Sequence, residues 1–289
     1  MDKFGRNYEL RVQTDSGFLT IAPPFTIEFD ITRNTLTSAN VCQIRIYNLS
    51  TITRNKIRFN QSDYGTFKAF SLRAGYGKNI PEIFTGNITQ AWSMREGVNF
   101  VTQIECYDGG FAFVNGQANL QFPAGTPDSV KIAELAKTLP FTTLGAIGNY
   151  DGVSTRGNTY SGNTAELLKD VTGGGFFIDG GKANALKTNE YIADGVGISV
   201  INAGSGLLGT PMLEQTIVRF DMLFEPGLNP GRKCRIESDT EANFNGDYVV
   251  TGVKHRGMIS ESVAGSVITT GEFFFTKLLT PVRAYQLGR

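Results

Sequence analysis

Phe25, Ile27, Phe29 and Ile31 alternate with Thr26, Glu28, Asp30 and Thr32, a period of two that gives an extended chain one buried and one polar face. Runs of similar β-rich character cover residues 7–13, 42–47, 67–76, 83–93 and 100–107. Turn chemistry separates them at Asp15-Ser16-Gly17, Asn48-Leu49-Ser50, Gly75-Tyr76-Gly77 and Glu96-Gly97. Short strands at this spacing predict a sandwich or barrel over residues 1–110. Residues 50–58 depart from the pattern. Their Ser/Thr-rich start, with Ile52 and Ile57, predicts a short helix plugging one end of that barrel.

The period then changes. Thr126 is placed to cap and Pro127 to open a helix in which Ile132, Leu135, Ala136 and Leu139 recur at helical spacing until Pro140 stops it. A second helix over 164–171 ends at Gly173-Gly174-Gly175, after which Phe176-Phe177-Ile178 and the turn Asp179-Gly180-Gly181 predict a hairpin. Residues 141–162, rich in Gly, Thr and Asn, show no period and read as a long loop.

Strands return from residue 206. Val218, Phe220, Met222 and Phe224 share one face and Arg219 and Asp221 the other, followed by the double turn Pro226-Gly227-Leu228-Asn229-Pro230-Gly231. Further strands are expected at 233–238, 248–255 and 266–276, with a turn at Asn245-Gly246-Asp247. The expected fold is mainly β with minor α. A β-module over 1–110 and a second over 206–289 flank a mixed α/β part with two helices over 111–205. The strand–helix alternation of a doubly wound parallel sheet is missing.

Composition narrows the function. Lys and Arg number 27 against 27 Asp and Glu, so no basic excess draws the chain to nucleic acid or anionic lipid. Glycine, 34 of 289 residues, is about 12% against roughly 7% in average usage, as many tight turns would require. Cys42, Cys106 and Cys234 are odd in number and far apart in sequence, which offers no disulfide framework or CxxC knuckle and fits synthesis in a reducing cytoplasm. The N-terminus lacks an apolar signal region, and no apolar run approaches the length of a membrane span.

Candidate chemistry is sparse. Gly204-Ser205-Gly206-Leu207-Leu208-Gly209 matches G-x-G-x-x-G, but Thr210-Pro211 and a strand follow where a dinucleotide site needs a helix, so a junction turn is the better reading. Residues 173–182 resemble a phosphate loop only loosely, since their glycines end a helix instead of beginning one. His255 is the sole histidine, which removes multi-imidazole metal sites; pairing with Cys106 or Cys234 would be chance, and a hydrogen-bonded histidine near a strand end is expected. Trp92, Tyr107, Tyr150 and Tyr160 could stack on sugars. In the triplet Phe273-Phe274-Phe275, the outer rings are expected in the core and Phe274 at a subunit interface. Asp/Glu pairs leave a cell-wall glycosidase formally open without selecting one. No catalytic, cofactor-binding or metal-ligating residue is assigned.

Several phrases occur in a telling order: Ile27-Glu28-Phe29, Ile44-Arg45-Ile46-Tyr47-Asn48-Leu49-Ser50, Leu72-Arg73-Ala74-Gly75-Tyr76, Ile83-Phe84-Thr85-Gly86 and Cys106-Tyr107-Asp108-Gly109. The last third adds Ser205-Gly206-Leu207-Leu208-Gly209-Thr210-Pro211, Phe224-Glu225-Pro226 with Pro230-Gly231, and Asn245-Gly246-Asp247-Tyr248 leading to His255-Arg256-Gly257. Over nearly the whole chain this order resembles the late-control-D-like baseplate hub proteins of phage tails. The resemblance implies two tail-tube-like β-barrels per chain in a homotrimer, so that three-fold and six-fold partners can be matched around a channel for DNA. It implies a non-enzymatic virion protein, made in the bacterial cytoplasm, that joins the tail tube protein to the central spike protein. Baseplate wedge proteins and the tape-measure protein would be further partners, DNA would meet the hub only in transit, and no membrane insertion or cofactor is expected. The chain ends at 285–289 soon after the last expected strand, so a spike or lyase would belong to partner chains. The alternative is a β-sandwich adhesin of a tail tip that binds glycan through Trp92 or the Tyr150 to Tyr160 loop.

Overall fold

The computed structural model describes residues 5–60, 68–195, 197–261, 265–274 and 279–283. Phe67, Phe275, residue 276 and the tail at 285–289, with the expectations that fall on them, lie outside the described residues.

The first third consists of β1 (Arg6–Thr14), β2 (Gly17–Ile21), β3 (Ile27–Asn34), β4 (Asn40–Tyr47), α1 (Thr51–Ile57), β5 (Phe59–Asn60), β6 (Lys68–Tyr76), β7 (Glu82–Glu96) and β8 (Asn99–Asp108). Antiparallel pairing orders the sheet β3-β4-β8-β7-β6-β1-β2. Alternate residues, including Leu10, Ile27, Phe29, Ile44, Phe70, Leu72 and Ile104, form one core because every second side chain of a strand shares a face. The sheet curls enough for the Tyr8 hydroxyl to donate to the Phe25 carbonyl (2.6 Å) across that core. Ile27, Phe29 and Ile31 are buried as their period requires, but Phe25 is 38% exposed because it precedes the strand. In α1, capped by the Ser50 hydroxyl, Ile57 is buried and Ile52 is 72% exposed. Five residues of helix turn the chain by about 140° beyond a full circle, so only Ile57 can plug the core.

The middle third runs α2 (Gly110–Asn115), β9 (Gln117–Phe122), α3 (Asp128–Ala136), β10 (Thr143–Ile147), β11 (Asn158–Asn163), α4 (Thr164–Thr172), β12 (Phe176–Asp179), β13 (Lys182–Ala185), β14 (Glu190–Ile192) and β15 (Ser199–Ile201). The predicted apolar stripe is buried, but α3 ends at Ala136, short of Leu139 and Pro140, and Pro127, not Thr126, stands at its N-cap position. Asn163 caps α4 by accepting from the Ala165 and Glu166 amides, and Gly173 ends it in the left-handed conformation. The expected hairpin is β12–β13. The stretch expected as a long loop instead contains β10, paired parallel to β13, and opens β11. Gly145 and Ala146 obscure the strand period in the sequence. There is no room for a larger residue at Gly145, whose Cβ would lie 2.2 Å from the Asn184 side-chain oxygen.

The last third comprises β16 (Leu207–Glu214), β17 (Ile217–Leu223), β18 (Lys233–Ile236), β19 (Gly246–Ile259), β20 (Val267–Phe274) and β21 (Thr280–Val282). Its core gathers Val218, Phe220, Met222, Val250 and Phe273. Elements cross between thirds: β15 pairs with β18 and β21 with β14.

Strand β19 joins the two ends of the chain. It pairs with β18 and β20 and, through Gly252–Ile259, with Asn34–Ile27 of β3. A register shift in the β19–β20 ladder lies between Val250 and Gly252, where β18 gives way to β3 on the other side of β19. The result is a single sheet of order β16-β17-β20-β19-β3-β4-β8-β7-β6-β1-β2, with β2 and β16 as its terminal strands.

Candidate assembly site

Where the three thirds meet, a buried charge cluster fixes their positions. Arg33 of β3 donates from Nε and Nη2 to the two carboxylate oxygens of Asp179 (2.8 and 2.7 Å). Its Nη1 donates to the Ile83 carbonyl (3.2 Å) and to Asn229 Oδ1 (2.9 Å) in the double turn of the last third. Asn40 donates to the Ile178 carbonyl and Asp179. Burial works against the Arg33 charge, and Asp179 more than restores it, leaving the guanidinium above its ordinary pKa. The β12–β13 turn is locked in turn, because the Gly180 and Gly181 amides donate to Asp108 (2.6 and 3.1 Å). Both glycines have positive φ (60° and 68°), the conformation that a tight hairpin turn needs. Burial, then the neighbouring Asp179, push the Asp108 carboxyl up to about 7 against the pull of those amides and Arg33.

The outward face of the continuous sheet carries opposite charges in pairs. Lys254 meets Asp30 (3.0 Å), Arg219 meets Glu272 (2.6 Å), and Arg45 bridges Glu28 (3.3 Å) and Glu96. Such exposed pairs add little stability, about 0–1 kcal/mol each, so their effect is to keep a broad face polar and close to neutral. The terminal strand β16 is different: Leu208, Met212 and Leu213 are 41%, 59% and 50% exposed on a strand that, among the described residues, pairs on one side only. A strand edge with apolar side chains is a ready template for another chain.

The residues singled out in the sequence do not converge. The G-x-G-x-x-G segment is a turn closed by Asn202 and Ser205 that leads directly into β16, with Gly206 and Gly209 at positive φ. The glycines at 173–175 end α4, and those at 180–181 form the hairpin turn occupied by Asp108. His255 lies within β19 and not at its end. It is fully buried, its Nδ1 is 2.9 Å from Thr269 Oγ1, and burial followed by the nearby Arg33 charge pull it down to about 3. Cys42 and Cys106 oppose each other on β4 and β8 as buried thiols, and Cys234 is buried near the Tyr248 carbonyl. Trp92 and Tyr107 stand at separate points of the sheet, Tyr150 is buried in the middle core, and Tyr160 packs edge-on against Phe122. Phe273 is in the core, stacked on Phe220 at 4.7 Å, while Phe274 is half-buried on the other face. Asp108 and Asp179 form a carboxylate pair that the fold does bring together, but their oxygens are occupied by Arg33, Asn40 and two amides. Among the described residues no three His, Cys, Asp or Glu side chains cluster as metal ligands, and no helix is long and apolar enough to cross a membrane. The Arg33 cluster escaped sequence reasoning because its members are spread over about 200 residues.

The architecture has clear relatives. It is similar to the prophage MuSo2 43 kDa tail protein from Shewanella oneidensis at 10% identity and a TM-score of 0.59, covering 92% of this chain and 96% of that one. A tail protein from Neisseria meningitidis MC58 aligns at 12% identity and a TM-score of 0.54, covering 94% and 97% of the two chains. The E. coli c3393 protein, a component of the type VI secretion system with structural similarity to the T4 bacteriophage tail proteins gp27 and gp5, aligns at 9% identity and a TM-score of 0.54, covering 91% and 76%. At these identities the likeness is one of fold. No curated protein sequence matches the chain. The sequence profile of the family described as baseplate hub gp41 matches residues 9–257. A mainly β chain whose two ends share one sheet, and which matches that profile over most of its length, thus belongs to the baseplate hub gp41 family and is a structural component of a phage tail.

Proposed function

We propose that this protein is the non-enzymatic central hub of the baseplate, a homotrimer that joins the tail tube to the central spike and anchors the surrounding wedge proteins around a channel for DNA. In this reading residues 1–110 and 206–289 act as two tube-like staves and residues 111–205 as the outer anchor. Three chains then present six staves, which lets a three-fold spike meet a six-fold tube. The observation that carries the proposal is the sheet made continuous by β19, with β2 and β16 left as terminal strands. Pairing or covering those edges with a sister copy would close the ring, and the near-neutral outward face would let DNA pass without holding it. Synthesis in the host cytoplasm and contact with the tape-measure protein belong to the same proposal.

Native mass spectrometry of the purified protein, alone and mixed with spike and tube proteins from the same phage, tests it. A trimer is expected in at least one mixture. A chain that stays monomeric in all of them is not a ring-forming hub.

A further inference from the structure

The β7–β8 hairpin outruns its neighbours. β4 pairs with β8 only as far as Val101, Asn48 adds two hydrogen bonds to the Phe100 backbone, and β5 reaches β7 only at Gln90 and Ala91, so the hairpin tip at residues 95–99 projects beyond the sheet. Apolar side chains mark the tip and its base: Val98 is 88% exposed, Phe100 41% and Met94 38%. Beside it stands α1, whose Arg54 guanidinium lies 3.9 Å from the Phe100 ring centroid. Between hairpin and helix is a cavity of about 370 Å³ lined by Arg54, Arg58, Arg95, Trp92, Met94 and Phe100.

This cavity holds positive charge that nothing described neutralises. No carboxylate lines it, and none of its three arginines takes part in an ion pair among the described residues. Glu96, next to Arg95 in the hairpin, and Glu28 are both paired with Arg45. Arg54 Nη2 donates to Thr51 Oγ1 (2.9 Å), but its Nη1 is shielded from water and has no acceptor among the described residues. A buried donor left without an acceptor is unfavourable, because it has given up its water without replacement. An acceptor supplied from outside would remove that cost.

We propose that the pocket receives a carboxylate from an acidic segment of a partner protein, while Val98 and Met94 pack against apolar residues beside it. Arginine, methionine and aromatic side chains around an apolar centre are the make-up of a protein interface. A nucleic-acid backbone would satisfy the arginines but leave the apolar tip in water. A chain of zero net charge also exerts no long-range pull on a polyanion. The site does not depend on ring closure, since it lies within one chain.

Trp92, the sole tryptophan, lines the pocket and reports on it. The test is a fluorescence titration of the whole protein with an end-blocked alternating Glu-Leu peptide, the same peptide with Gln for Glu, inorganic phosphate and a short DNA duplex. A saturable change in Trp92 emission is expected with the Glu peptide alone. Arg54→Gln and, on the exposed hairpin, Arg95→Gln should each weaken it about tenfold or more, with unchanged circular dichroism. Val98→Ser should weaken binding while leaving its salt dependence in place. No response to the Glu peptide, an equal response to the Gln peptide, or binding of phosphate or DNA as tight as that of the Glu peptide overturns the proposal.

Discussion

At His255 the fold holds the chain's only imidazole neutral between Thr269 and the Phe224 ring, with the Thr269 hydroxyl also accepting from the Glu225 amide. The native pKa near 3 lies below the unfolded value, so the unfolded chain binds the extra proton. The stability this contributes is present above about pH 6.5 and is lost as pH falls towards 3, on the order of 5 kcal/mol in all. The lone imidazole resonance in an NMR titration should therefore stay in its neutral form down to about pH 4 while the protein remains folded. A midpoint near 6.5 would contradict the buried environment. Asp108 runs the other way: its native pKa of about 7 is raised, so its contribution is present below about pH 4 and is lost as pH rises through 7. Asp108→Asn keeps the shape but turns an amide group towards a backbone N–H. The variant should be less stable at pH 5, and that deficit in urea midpoint should narrow by pH 8. A deficit independent of pH would mean that Asp108 is ionised throughout.

Among the elements, β19 and the strands beside it carry the architecture, and two substitutions probe them. Arg33→Met leaves Asp179 buried without its cation and should cost about 3–5 kcal/mol in denaturant unfolding. Arg33→Lys keeps the charge but loses the two-pronged geometry, so an intermediate cost is expected. In β20, a Cβ on Gly271 would lie 2.3 Å from the Phe220 ring, which is itself stacked on Phe273. Gly271→Ala should cost about 1–3 kcal/mol by overpacking, and a wild-type midpoint would show that the core can yield there. Elements with their own local period or stop signal, such as β3, α3, α4 and the β12–β13 hairpin, were legible in the sequence. β10 was not, because its strand character comes from pairing with β13 and not from its own residues, in which Gly145 and Ala146 break the alternation.

At the level of the whole molecule, a ring built through β16 makes a separable prediction. Met212 is 59% exposed on that terminal strand, so Met212→Lys should leave folding stability within about 0.5 kcal/mol yet reduce the trimer seen by native mass spectrometry. A trimer unaffected by this charge would place the contact elsewhere. The candidate site was only partly readable. The phrases pointing to a hub lie along the chain, but the sheet edges, the Arg33 cluster and the arginine pocket exist only once distant segments meet.

The sequence by itself determined the β-rich class, the change of period in the middle third and the glycine stop of α4. Each of these depends on neighbours a few residues apart, through side-chain alternation, capping and turn conformation. Tertiary structure alone decided that β19 would serve both ends of the chain, that Arg33 would find Asp179 and Asn229, and that Trp92 would face Arg54. Those pairings depend on which strands lie side by side after the chain has closed large loops. No local period encodes that choice; it follows from burying the whole apolar surface at once while pairing every buried charge.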